Sequence, residues 1–257
     1  FRTKLRILRP GTMSFKDYFS AQSESYRKHR PRYPAELFDW LAGGAPGRGL
    51  AVDVATGSGQ AAVALAERFD AVIATDASAA QLAQAPAHPR IEYRRETAET
   101  LSVPERSADL LVAAQAAHWF DWPRFVAEAA RVLRPGGVLA YWAYGNCEVT
   151  PAIDRLVSDF SRDVVGPYWP RERRHVEEGY RDLVAPFTAL DPPAIEMRVR
   201  WDSPAMLGYL DTWSAVRRCR ARSRRDPLAL LAGPLAAAWG AGPRDVRWPL
   251  VVKAHRA

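Results

Sequence analysis

AVDVATGSGQ, residues 51–60, is the stretch whose reading decides the fold. An apolar run carrying Asp53 enters a turn built on Gly57 and Gly59, and the small-residue segment AAVALAERF follows at once. Strand, glycine turn and helix in that order hold an adenosine-containing cofactor over the end of a parallel sheet. Glycine suits the turn because a Cβ there would collide with the approaching ligand. A second apolar run, AVIAT, ends in Asp76. A carboxylate at the tip of the second strand accepts hydrogen bonds from both ribose hydroxyls. The turn is not the dinucleotide fingerprint Gly-x-Gly-x-x-Gly, because the third position is Ala62.

The alternation continues outward from this unit. Residues 14–42 read as helical, with a break at HRPRYP. Strand one near 50–55 leads to a helix over 60–68, and strand two near 71–75 leads to a helix over 78–85. IEYR at 91–94 is a short third strand. ADLLVAA at 108–114 is a fourth, an unbroken apolar run suited to burial on both faces. Asp121 and Pro123 mark the N-cap and first turn of a helix running through Arg134. Pro135, Gly136 and Gly137 stop it, and GVLAYWA at 137–143 is the fifth strand. After Tyr144 the rhythm changes: 151–190 is mostly helical and rich in Arg, Tyr and Trp. IEMRVRW at 195–201 alternates as a strand, SPAMLGYLDTWSAVRR and PLALLAGPLAAAW read as two helices, and VRWPLVVKA at 246–254 closes as a strand. The pattern predicts an α/β fold. Its core is a Rossmann-like, doubly wound, seven-stranded sheet, mostly parallel with an antiparallel edge strand, and a helical cap is inserted after strand five.

Composition bounds the function. A chain of 257 residues with 48% hydrophobic and 25% charged residues is an ordinary globular protein, large enough for one domain with a big core and a small cap. Residues 1–12, FRTKLRILRPGT, are basic, precede Met13, and read as a vector-derived or otherwise non-native leader. No apolar stretch approaches the ~20 residues of a membrane span. The longest, LALLAGPLAAAW, is interrupted by Gly233 and Pro234. The net charge of +7 comes from arginine, with lysine only at positions 4, 16, 28 and 253. Such a balance raises nucleic-acid binding or acidic substrates. The clusters at 171–174 and 217–225 also read as solvated helix faces. Cys147 and Cys219 are too few for a disulfide framework, which fits a reducing cytoplasm. No His/Cys/Asp/Glu grouping has metal-ligand spacing, G-x-S-x-G is absent, and DPPA at 191–194 reads as a turn.

The spacing Asp53-x-Ala55-x-Gly57-x-Gly59 resembles motif I of the class I S-adenosylmethionine (SAM)-dependent methyltransferases, usually Asp/Glu-x-Gly-x-Gly-x-Gly, with Ala55 replacing the first glycine. YRKHRPRYP at 26–34 is similar to the lead-in of the small-molecule members. AETL at 98–101, ADLLVAAQAAHWF at 108–120 and ARVLRPGGVLA at 130–140 match the later motifs. AQAAHWFD, GPYWPRERRHVEEGYRDL and GYLDTWS resemble the trans-aconitate methyltransferase-like branch, whose members methylate small carboxylic acids or related metabolites. The resemblance implies a single domain over 13–257, with a SAM-binding core at 26–145 and cap and substrate-pocket helices at 146–190 and 203–240. It implies SAM as donor, S-adenosylhomocysteine as product, and a cytoplasmic monomer or weak homodimer acting on a small acidic or aromatic molecule, not on nucleic acid or at a membrane.

The same resemblance assigns the residues. Tyr26, Arg30, Asp53, Ala55, Gly57, Gly59, Asp76, Thr97, Ala98, Glu99 and Gln115 are the expected cofactor contacts. Asp53 reads either as a carboxylate bonding the turn amides or the methionine ammonium, or as a strand-end cap. Arg30 reads either as a fork on the cofactor's carboxylate or as a surface residue. Thr97 stands where many relatives carry an acid for the adenine amino group, so the amide at 98 takes that role. His118 is the expected catalytic residue: a base if the acceptor is a phenol or amine, an orienting group if it is an already ionised carboxylate, or a packing residue. Trp119, Tyr168, Trp169, Arg173, Arg174, Tyr180 and Trp213 are the expected substrate-pocket residues, with Trp213 also plausible as core. Arg173, Arg174 and His175 cannot all face one way on a helix. The reaction expected is methyl transfer to oxygen, with N-, C- or S-methylation, a nucleic-acid-modifying enzyme and a non-catalytic SAM-binding protein as alternatives.

Overall fold

The computed structural model describes residues 30–257. In chain order the elements are α1 (Ala35–Gly44), β1 (Leu50–Val54), α2 (Gln60–Ala66), β2 (Ala71–Thr75), α3 (Ala79–Leu82), β3 (Ile91–Arg94), β4 (Ala108–Ala114), α4 (Trp122–Val132) and β5 (Leu133–Tyr144). The second half holds α5 (Pro151–Asp159), α6 (Arg173–Glu177), β6 (Thr188–Leu190), β7 (Glu196–Trp201), α7 (Ser203–Asp211), α8 (Ser214–Ser223), α9 (Ala229–Trp239) and β8 (Arg244–Arg256). Short 3-10 turns cover Ala117–Trp119 and Gly166–Tyr168, and a π turn covers Phe160–Val164.

The sheet runs β3-β2-β1-β4-β5-β8-β6, with β7 also paired to β8. β1 to β5 are mutually parallel where they pair, and β8 is antiparallel to β5, β6 and β7. This is the mostly parallel sheet with an antiparallel side that the sequence predicts. It has eight strands rather than seven, because the predicted strand at 195–201 is joined on β8 by a second short piece at 188–190, inside the stretch read as helical.

The apolar runs carry the architecture. Along β1, β4 and β5, neighbouring residues go to opposite faces, as a two-residue period requires. Val52, Leu111, Leu139 and Tyr141 join Phe125 and Ala129 of α4 on one face. Ala51, Leu110, Val138 and Trp142 join Leu37, Phe38 and Leu41 of α1 and Leu65 of α2 on the other. A third core, including Ile153, Met206, Tyr209, Trp213, Leu235, Trp239 and Trp248, lies under the cap.

Two boundaries differ from the sequence reading in ways that matter. α4 ends at Val132 rather than Arg134, and β5 takes over at Leu133, with a register irregularity opposite Ala108 and Leu110. Gly137 is needed there, because a Cβ would meet the Arg134 carbonyl at 2.9 Å and that of Ala108 at 3.1 Å. Further on, the segment read as one helix over 203–218 breaks at Thr212 and Trp213 into α7 and α8. The Thr212 hydroxyl donates to the Tyr209 carbonyl at 2.6 Å, which ends α7. The break presents both residues to the site described next.

Candidate active site

The strand order reverses between β1 and β4, and ligands bind outside the carboxyl ends of the strands at such a switch point. A cavity of ≈ 950 Å³ opens there. The polypeptide turns sharply to make it. Ala55, Gly57 and Gly59 have φ of 54°, 58° and 82°, and Gln115, just past β4, has 56°. The two non-glycines stand in a region that costs a side chain roughly 1–2 kcal/mol, strain of the kind that gathers at functional sites. A Cβ on Gly57 would find no protein atom closer than Gln81 Oε1 at 3.8 Å, and the space it would fill borders the cavity.

Asp76 ties this cradle together. Its Oδ2 accepts from the Gly57 amide at 2.9 Å and its Oδ1 from the Ser78 amide at 2.8 Å. Of the residues expected to contact a cofactor, Gly57, Gly59, Ala55, Asp76, Thr97, Ala98, Glu99, Gln115 and Arg30 line the cavity. Tyr26 lies outside the described residues.

Three of these expected contacts have their side chains turned to other work. Gln115 grips the backbone of Tyr144 from both ends of its amide, Nε2 to the carbonyl and Oε1 from the N–H, each at 3.1 Å, and so clamps β4 to β5. Glu99 accepts from the Asp121 amide at 3.0 Å, holding the N-cap of α4. Arg30 donates to Tyr144 Oη at 2.8 Å and to Thr212 Oγ1 at 3.1 Å, with its guanidinium 5.1 Å from the Tyr209 ring centroid. It therefore reaches across to the cap instead of lying on the surface.

Asp53 lies beneath the cradle. It is wholly buried, and its side chain is not part of the cavity wall. Its Oδ2 accepts from the Thr56 hydroxyl at 2.5 Å, while Oδ1 is without a hydrogen-bond partner. Burial pushes its pKa up to about 7, the Thr56 hydroxyl and the nearby Ala62 amide hold it down in part, and the Asp76 charge raises it further. Asp53 thus braces the turn from beneath.

A second, smaller chamber of ≈ 80 Å³ adjoins the first, and Arg30, Gln115, Trp119 and Tyr144 border both. Its other walls include His118, Trp169, Arg173, Tyr209, Thr212 and Trp213. Arg173 is the inward arginine: its guanidinium lies 4.1 Å from the Trp169 ring centroid, and it contacts Asn146 Oδ1 at 3.4 Å and Glu177 at 3.3 Å. Trp169 is fixed in turn by its Nε1 donating to the Ser161 carbonyl at 3.2 Å and by the Trp213 ring at 5.3 Å.

Three predicted pocket residues are elsewhere. Arg174 is 65% exposed, facing Glu178 and Asp182, because it follows Arg173 on a helix and the next residue points about 100° away. Tyr168 lines neither chamber, and its carbonyl accepts from Arg218 at 3.2 Å. Tyr180 is 1% exposed and lies behind His118, 2.8 Å from Nδ1. The cause is local: Gly179 and Tyr180 are both left-handed, with φ of 64° and 54°, and swing the ring inward.

His118 borders the small chamber, but its surroundings suppress its basicity. Desolvation foremost, then the Arg173 guanidinium and the nearby His175 ring, pushes its pKa down to about 3. Residues missed from sequence include Tyr144, Tyr209 and Thr212 around the chamber, and Glu96 in the cavity wall. Glu96 is held by hydrogen bonds from the Ser102 amide and hydroxyl. Its signal was available, since it is the acidic residue next to Thr97.

The comparisons agree with this geometry. Residues 52–141 match the family model described as a methyltransferase domain. A Dictyostelium discoideum protein named as a methyltransferase is 35% identical over 209 residues, 80% of each chain. A Saccharomyces cerevisiae protein named as S-adenosylmethionine-dependent is 27% identical over 172 residues, 62% of this chain and 59% of its own. A solved structure described as a type II methyltransferase from Anaeromyxobacter dehalogenans superposes with a TM-score of 0.83 at 48% identity, covering 88% of this chain and 97% of that one. No helix among the described residues is long and apolar enough to cross a membrane. With a glycine-turn cradle at the switch point, Asp76 at the tip of β2 and relatives that span most of its length, the chain belongs to the class I SAM-dependent methyltransferases.

Proposed function

We propose that the large cavity holds the donor and that the small chamber holds an anionic small-molecule acceptor, methylated on a carboxylate oxygen. The observation that carries this reading is Arg173, laid over Trp169 in the small chamber beside a histidine whose pKa is about 3. An anion entering an aromatic chamber loses hydration, and a guanidinium replaces it with a charge-assisted pair. A carboxylate is ionised near neutral pH and needs no base. A group with a conjugate-acid pKa near 3 is a poor base for a phenol or an amine. The reading keeps the chain in the trans-aconitate methyltransferase-like branch.

When bound, SAM supplies a methyl group already activated by its sulfonium charge. Asp76 is positioned for the ribose, the turn amides for the methionyl end, and the segment Thr97–Glu99 for the adenine. Arg30 and Tyr144, common to both chambers, hold the junction where acceptor and methyl meet. Trp119, Trp169 and Trp213 exclude water there. Alignment of this kind can supply ~7–11 kcal/mol of the barrier, and dryness favours a transfer in which opposite charges cancel.

Incubation with SAM and a panel of di- and tricarboxylates, phenols and amines tests the reading. Methyl esters of the acids are expected by mass shift, with a rate that is flat from about pH 5 to 8. Products from phenols or amines alone, with a rate that climbs as pH rises, would overturn it.

A further inference from the structure

We infer that Tyr180 is a positioning residue for His118: its buried hydroxyl donates to Nδ1 and fixes the imidazole with its proton on Nε2, as a hydrogen-bond donor to the acceptor's oxygen. The kinetic part rests on the anionic-acceptor reading above. The tautomer does not.

Tyr180 is 1% exposed, so its hydroxyl hydrogen must find an acceptor inside the protein. The ring nitrogen of His118 at 2.8 Å is the acceptor present. Burial raises the phenol's pKa far above its usual value, with the Tyr141 hydroxyl adding to the rise, so the group keeps its proton and remains a donor. A neutral imidazole has one donor and one acceptor nitrogen. With Nδ1 accepting, Nε2 carries the hydrogen, and the Tyr180 contact is the ring's hydrogen bond among the described residues. His118 itself borders the small chamber.

Two features show that this contact is held by the surrounding fold. Tyr180 keeps a φ of 54°, costly for a bulky residue, and the left-handed pair it forms with Gly179 brings the ring under His118. Behind it the Tyr141 ring packs at 5.8 Å, and the Tyr141 hydroxyl donates to the Leu183 carbonyl at 2.5 Å. That bond pins the segment that carries Tyr180. The groups facing the imidazole are the Tyr180 hydroxyl, the Arg173 guanidinium and the His175 ring, and burial foremost, with Arg173 beside it, keeps the imidazole neutral. A neutral Nε2–H can orient a carboxylate but cannot take its place as a base.

Long-range proton–nitrogen correlation of the full chain labelled with ¹⁵N-histidine reads the tautomer directly, with His118→Gln assigning the signal among the five histidines. The expected spectrum shows a neutral imidazole protonated at Nε2 from about pH 5 to 8. Tyr180→Phe should shift it toward exchange between tautomers. That variant should also lower kcat/KM roughly tenfold, the scale of one lost hydrogen bond, and the loss should not add to that of His118→Ala. A wild-type imidazole protonated at Nδ1 overturns the inference, whether or not the Phe variant folds. So does a Phe variant with an unchanged tautomer, or losses that simply add. An error in the acceptor class would show differently, as an intact tautomer signature in a protein that esterifies no acid.

Discussion

The two chambers are built by opposite means. The large cradle is made by backbone: left-handed turn residues, strand ends and a carboxylate that bonds amides. Its central contact, Asp76 to Gly57, joins residues only 19 apart. The small chamber is made by side chains from distant segments, and Arg30 meets Thr212 across 182 positions. A backbone site can change little without losing the fold, so it suits a constant ligand. A side-chain site can be rewritten residue by residue, so it suits a ligand that differs from one relative to the next.

The largest expected effect tests whether the cradle depends on one carboxylate. Asp76→Ala removes the group that bonds the turn and the proposed ribose contact together. Each charged hydrogen bond is worth ~1.5–3 kcal/mol, so affinity for SAM should fall roughly a hundredfold while the cap is undisturbed. Calorimetry with SAM and its demethylated product measures this. Unchanged affinity would break the assignment of the donor chamber.

Next is the acid beneath the turn. Asp53 has a folded pKa near 7 against about 3.8 for the free side chain, so between those values the folded state holds a proton that the unfolded state has released. Folding stability contributed by this group is therefore complete below pH 3.8 and is lost as pH rises through 7. Asp53→Asn, which cannot ionise, should match wild type near pH 4 and exceed it by up to a few kcal/mol near pH 8. Urea unfolding at both pH values checks the sign. A gap that does not widen with pH would mean the carboxylate is not desolvated.

The contrast between chambers also explains what could be read in advance. The cradle was legible because its parts are close in sequence and its residue types are dictated by backbone geometry: glycine where φ is positive, an acid where amides converge. The sheet was legible because strands buried on both faces must be continuously apolar. The small chamber was legible only in part: His118, Trp119, Trp169, Arg173 and Trp213 were expected and line it, but its detailed geometry was not. Whether Arg173 or Arg174 faces inward is set by the phase of a five-residue helix, which no pattern that short can reveal. Tyr180 turns away through one left-handed φ at a residue type that disfavours it. Tyr144 and Tyr209 carry no signal of their own in the sequence, and they line the chamber from the end of β5 and from the last turn of α7.

Arg173→Ala separates the chambers by function. Loss of one charge-assisted pair, ~1.5–3 kcal/mol, should raise the acceptor KM roughly ten- to a hundredfold and leave SAM affinity within a factor of two. Arg174→Ala, one residue along but pointing outward, should change neither. Steady-state kinetics with the acid identified by the screen, alongside calorimetry with SAM, would show whether the boundary between the chambers is energetic as well as geometric. Equal effects of the two variants would remove Arg173 from the proposed clamp.

The smallest effect is also the sharpest probe of the backbone account. Ala55 occupies a left-handed φ of 54° where related turns use glycine. Ala55→Gly relieves roughly 1 kcal/mol of native strain but adds freedom to the unfolded chain worth about 0.5–1 kcal/mol. The two terms nearly cancel, so stability should change by about half a kcal/mol or less. Affinity for the donor should hold or tighten, because a methyl leaves the rim of the cavity. A substitution that removes atoms and leaves stability almost untouched is hard to reconcile with a packing role for that methyl. A loss of 2 kcal/mol or more in urea unfolding would show that Ala55 is packed as core, and that strain at this turn is not what shapes the cradle.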